Sequence, residues 1–121
     1  MEELRDQIKN YEYQITQNSK TLQMGLDFVS KCEFDLEKHK ERIEDAKLKL
    51  RQARTKSDKK KWRERIRQWD YEKDEALYII NNMRDKIERM KNILSEYKDL
   101  IHECRCEIMR KLNSDKNIQV F

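Results

Sequence analysis

Counting in sevens from Ile8 gives Ile8, Ile15, Leu22, Val29, Leu36, Ile43 and Leu50, and every member of the series is aliphatic. The companion series runs Leu4, Tyr11, Asn18, Gly25, Cys32, His39, Ala46 and Ala53. Together these are the a and d positions of a sustained coiled-coil heptad, which places one narrow apolar seam along a long helix. The second half repeats the device. Ile66, Lys73, Ile80, Ile87, Leu94, Ile101 and Ile108 stand at a, with Trp62, Trp69, Ala76, Met83, Met90, Tyr97 and Cys104 at d.

The two series are out of phase, because Leu50 and Ile66 are not a whole number of heptads apart. The break falls in RTKSDKKK, residues 54 to 61, a stretch with no apolar residue. Ser57 followed by Asp58 reads as a helix N-cap with an acid in the first turn, and Lys47, Lys49, Arg51 and Arg54 suit the C-terminal end of the preceding helix. A bend centred near Lys56 follows. One domain over 1–121 is expected, with helix 1 at about 3–54, a bend at about 55–57, helix 2 at about 58–112 and a tail over 113–121.

Folding the chain at that bend matches the two halves. In an antiparallel pair a positions lie level with d positions, so Leu50 meets Trp62, Ile43 meets Trp69, Leu36 meets Ala76, Val29 meets Met83, and onward to Ile8 against Cys104. The alternate layers pair Ala46 with Ile66, Cys32 with Ile80, Gly25 with Ile87, Asn18 with Leu94, Tyr11 with Ile101 and Leu4 with Ile108. Small residues tend to face large ones. The layer of His39 and Lys73 alone is polar on both sides, a device that costs stability and discourages slipped pairings. The expected fold is all-α, a long antiparallel coiled-coil hairpin with arms of about 75 Å. A single continuous helix in a parallel dimer is the opposing reading, since nothing in 54 to 61 forbids helix.

Composition narrows the alternatives. Charged residues make up 43% of the chain and apolar ones 36%, too polar for a broad core and too rich in Leu and Ile for a disordered chain. There is no proline and a single glycine, Gly25, so the punctuation of strands, hairpins and phosphate-cradling loops is missing. No apolar run approaches the ~18 residues of a membrane span, and the N-terminus lacks a signal-peptide pattern. With three cysteines in no repeated framework, a soluble protein of the cytoplasm or nucleus is expected, its thiols reduced.

Two surfaces stand out. On the g positions, where charge is usual, sit Phe28, Ile79, Ile93 and Leu100. They point to a further partner, most simply a second copy that completes a dimeric four-helix bundle. The alternative is a wider monomer seam, covered by the C-terminal NIQVF. The other surface is the bend. Residues 51 to 67 hold nine Lys or Arg against Asp58 and Glu64, in a chain whose net charge is only +4. Lys59, Lys60 and Lys61 occupy a first helical turn, where positive charge opposes the helix dipole by some tenths of a kcal/mol each. Arg54, Lys56, Arg63 and Arg67 complete a basic tip suited to an anionic partner, DNA or RNA among them. Trp62 reads either as the last seam layer or as a ring for stacking on bases.

Other chemistry is weaker. His102, Cys104 and Cys106 in HECRC cannot converge on one metal, because alternate helical residues point about 200° apart. Cys104 belongs to the seam and Cys106 is an exposed thiol, which leaves a site shared between protomers as the remaining metal arrangement. His39 lies in the seam with no nucleophile beside it and reads as a satisfied core histidine, and a hairpin offers no water-excluding pocket for paired carboxylates. No catalytic residue, cofactor, resident metal, small-molecule substrate or membrane association is expected. Beyond Leu112, NSDKNIQVF leaves the heptad: Asn113 reads as a helix stop, and Ile118, Val120 and Phe121 alternate like a short strand or docking peptide, with disorder as the alternative.

The layout resembles unrelated long α-hairpins such as the tRNA-binding arm of seryl-tRNA synthetase and the small coiled-coil stalk and export proteins of secretion systems. That similarity is architectural, and architecture alone does not carry function. The expected function is that of a non-catalytic interaction protein, an adaptor, inhibitor or assembly factor acting through a protein partner and self-association. Nucleic-acid binding at the basic tip is the second expectation.

Overall fold

A computed structural model describes the backbone of residues 1–120 and the side chains of residues 1–115. Two helices account for nearly all of it: α1, Glu2–Gln52, and α2, Lys56–Val120. Acids open both helices, Glu2 and Glu3 in α1 and Asp58 in α2, and Lys49 and Arg51 close α1, each favourable to the helix dipole. The chain falls into two compact units, one of residues 1–24 with 87–121 and the other of residues 25–86.

The unit of residues 25–86 is a helical hairpin. Its buried side chains are Val29, Leu36, Ile43, Ala46 and Ile80, all from the a and d series. Cross-helix contacts follow the antiparallel register. Glu33 forms an ion pair with Arg84 between e positions, and His39 and Trp62 touch Glu72 and Lys49, each the g residue just before the level partner. The continuous-helix reading is excluded by this packing.

The unit of residues 1–24 and 87–121 buries Leu4, Ile87, Leu94, Ile101 and Cys104, again all a or d. Here too the segments run antiparallel. Cys104 Sγ donates to Gln7 Oε1 at 3.6 Å, Arg105 pairs with Glu12 at 3.6 Å, and the Tyr11 and Tyr97 rings lie 5.9 Å apart, tilted by 39°. Asn18, polar in a d position, is satisfied within its own helix: Nδ2 donates to the Gln14 carbonyl at 2.7 Å.

The turn differs from expectation by a few residues. α1 stops at Gln52, and only Ala53, Arg54 and Thr55 separate the helices, so the bend lies before Lys56. The cap is Thr55 and not Ser57. Thr55 Oγ1 accepts the Asp58 N–H at 3.1 Å, the N-cap to N3 bond, and the Thr55 carbonyl accepts Lys59 N–H at 3.1 Å as the first helical rung. The N–H of Ala53 donates back to the Leu50 carbonyl at 3.3 Å. Among the described residues no non-glycine residue takes a positive φ, which explains how the chain turns without a glycine.

Two further expectations are corrected. In the polar layer, His39 Nδ1 sits 4.0 Å from Glu72 Oε2, while Lys73 turns to Asp70 on its own helix at 3.5 Å. The layer is polar on both sides as expected, but His39 Nδ1 is buried without a hydrogen-bond partner among the described residues, so His39 is not the satisfied core histidine expected. At the C-terminus, helix continues past Asn113 as far as Val120. With neither glycine nor proline after Leu112, Asn113 is a weak stop, costing only some tenths of a kcal/mol inside a helix. The docking surface expected of Ile118, Val120 and Phe121 lies outside the described side chains. Among the described residues no helix is long and apolar enough to cross a membrane, and Cys32, Cys104 and Cys106 are free thiols.

Candidate interaction surfaces

The basic tip belongs to the unit of residues 25–86. Arg54 lies in the linker, Lys56 opens α2, and Lys59, Lys60, Lys61, Arg63 and Arg67 follow on its first turns; all are exposed. Arg63 and Arg67 are i and i+4 neighbours and so share a face. None of these seven cations forms an ion pair among the described residues. Asp58 is the lone acid of the first turn, with its N–H capped by Thr55.

Trp62 is half-buried, and cations surround its ring. Lys49 Nζ lies 5.0 Å from the centroid, Arg65 Cζ 4.9 Å and Lys61 Nζ 5.6 Å. Each contact is worth about 0.5–1 kcal/mol at an exposed site. Trp62 therefore closes the seam and anchors part of the basic cluster, and a base that stacked on it would have to displace side chains already there. Arg65 and Lys49 were missed as members of this cluster. The signal for Arg65 was its i+3 spacing from Trp62, and for Lys49 its g position beside Leu50.

The two flanks of the seam differ in chemistry. Along e, Glu33–Arg84 in one unit and Glu12–Arg105 in the other bind helix to helix by charge. Along g, Phe28 and Ile79 remain 43% and 48% exposed in the unit of residues 25–86. Ile93 and Leu100 remain 40% and 36% exposed in the other unit. The monomer seam does not absorb any of the four.

A third surface was not foreseen. Tyr71, Asp74, Glu75, Tyr78 and Ile79 line an open groove on the outer side of α2, with Tyr71 and Tyr78 both strongly exposed. Two tyrosines seven apart at f positions were the available signal. A hydrogen bond from the Tyr71 phenol to the Glu75 carboxylate, reinforced by the repulsion between that carboxylate and a phenolate, raises the Tyr71 pKa above its ordinary value. Tyr71 thus stays a neutral donor through the physiological range.

Near the end of the described α2 side chains, His102 Nε2 and Cys106 Sγ lie 3.6 Å apart on the exposed surface, while Cys104 is buried and bonded to Gln7. The sequence placed both cysteines correctly. No group of three His, Cys, Asp or Glu able to hold a metal occurs among the described residues. No protein-family model, curated protein or solved structure matches the chain, so these surfaces carry the functional reading by themselves.

Proposed function

We propose that the protein works by contact and not by catalysis, as a coiled-coil adaptor, inhibitor or assembly factor that pairs with a second copy and holds a protein partner. The observation that carries this reading is the contrast between flanks. Charge bridges the helices along e, while Phe28, Ile79, Ile93 and Leu100 leave apolar surface uncovered along g. Fully burying a large apolar side chain is worth about 1.5–3 kcal/mol, so covering the 36–48% that stays exposed on these four is worth about half of that each, and two-fold symmetry makes every position count twice. A four-helix bundle is the simplest arrangement with that property.

Light scattering across a dilution series tests it. A mass that doubles with concentration is expected, and the Ile93→Asp, Leu100→Asp chain should dissociate with a Kd more than tenfold weaker, since each 1.4 kcal/mol is a factor of ten. A monomeric mass at every concentration, or a double variant that associates like the parent, would sink the proposal.

The tip supports a second reading, binding of nucleic acid through phosphate. Its favouring observation is that, among the described residues, the seven tip cations have no ion-pair partner even though three of them, Lys59, Lys60 and Lys61, crowd the positive end of α2. Affinity for duplex or single-stranded oligonucleotides should fall steeply with salt, and disappear when Lys59, Lys60, Lys61 and Arg63 become Glu. Those substitutions favour the helix dipole, so helical content should hold or rise. Oligonucleotide binding unchanged by the quadruple substitution would end this reading.

A further inference from the structure

We propose that His102 and Cys106 form half of a zinc site that a second copy completes, giving a tetrahedral set of two thiolates and two imidazoles. The inference does not depend on the apolar flank. His102 and Cys106 are i and i+4 neighbours at b and f positions, the side of α2 turned away from the seam, and both are exposed. One helical turn therefore holds a nitrogen and a sulfur ligand on the same open face.

The separation of the two ligand atoms is the deciding quantity. Zn–S bonds of about 2.3 Å and Zn–N bonds of about 2.0–2.1 Å, set at the tetrahedral angle, place sulfur and nitrogen about 3.6 Å apart. Cys106 Sγ and His102 Nε2 stand at 3.6 Å. The pair matches one edge of a zinc tetrahedron without a change of backbone. In the metal-free chain the same two atoms are at thiol–imidazole contact distance, and zinc would take the place of the proton between them, released as the thiol becomes thiolate.

Among the described residues of the same chain nothing completes the tetrahedron. Cys104 is buried in the seam against Gln7, and no third ligand joins the pair among the described residues. A second copy supplies the missing edge by symmetry, since a two-fold axis through the metal turns one His–Cys pair into two. Two thiolates and two neutral imidazoles balance the charge of Zn²⁺, and sulfur with nitrogen at tetrahedral geometry selects zinc over the oxygen-seeking divalent ions. The match explains how an exposed His and Cys can be a functional pair although neither is unusual alone.

The test uses the full chain, reduced with a phosphine and carrying Ile93→Asp and Leu100→Asp, so that association through the flank is kept apart from association through metal. Titration with cobalt(II) should raise a thiolate-to-cobalt charge-transfer band and tetrahedral visible bands, saturating at one metal per two chains. Zinc should then bleach these bands, and light scattering should show the mass doubling with zinc and reverting with a chelator. His102→Gln and Cys106→Ser, both exposed and harmless to the seam, should each abolish the signal, while Cys32→Ala and Cys104→Ala keep it. Absence of a thiolate band, a band that survives Cys106→Ser or His102→Gln, or one metal per chain without a change of mass would each overturn the shared site. If the flank is not an interface, the metal-dependent mass is still read against a monomer.

Discussion

Ile80→Ala should lower the unfolding free energy by about 2–5 kcal/mol, seen as a reduced midpoint in urea denaturation monitored by helical circular dichroism. Ile80 is 1% exposed, the largest side chain among the described residues to be so fully enclosed. In the antiparallel register its level partner is Cys32, whose shorter side chain cannot close the space. The cost is therefore the lost transfer energy of three carbons plus a cavity. Alanine is the better helix former, and returns some tenths of a kcal/mol. That gain is too small to decide the sign. Tyr78→Ala, on the same helix but at a site 69% exposed, should stay within about 0.5 kcal/mol of the parent. Equal effects at the two sites would mean that Ile80 does not face a seam.

His39→Leu should move stability the other way, by about 1–3 kcal/mol, with a raised midpoint in the same experiment. Among the described residues His39 Nδ1 is buried without a hydrogen-bond partner, and its approach to Glu72 at 4.0 Å is too long to serve as one. Leucine removes the unsatisfied atom and continues the seam. The expected loss is in specificity: with Lys73 already committed to Asp70, the layer would no longer penalise a hairpin slipped by one heptad. Spin labels on cysteines introduced at Glu2 and Lys111, diluted with unlabelled chain, should report a broader distance distribution in the variant. A fall in stability on His39→Leu would show that the contact with Glu72 stabilises the fold, and would overturn this account of the layer.

Much of the seam was legible because it depends on a property that is local and periodic. A residue every third or fourth position must face the same way in any helix, so Val29, Ile43, Ile80 and Ile101 could be assigned to the core before a partner helix was known, and all are buried. The antiparallel pairing was legible for a related reason, since the phase break in RTKSDKKK and the matching of small against large layers both lie in residue order. The candidate surfaces were legible by type. The g-side apolar residues are exposed where the heptad placed them, and the tip cations are exposed at the break between the two heptads.

What stayed hidden depends on choices between neighbours in space. Both Thr55 and Ser57 can cap a helix, and the sequence does not say which hydroxyl reaches a free N–H; the three-residue linker decides for Thr55. Lys73 stands level with His39 in the register, yet its ammonium pairs with Asp70 on its own helix at 3.5 Å. Lys49 and Arg65 joined Trp62 only once the side chains were placed around the ring. The 3.6 Å between His102 and Cys106 is likewise a fact of side-chain rotamers, which i,i+4 spacing permits without requiring. The sequence by itself determined two helices, their seam and their direction, because periodicity and phase survive any detail of packing. The tertiary structure decided the cap, the polar partners and the ligand pair, because each is a competition among groups within a few ångströms of one another.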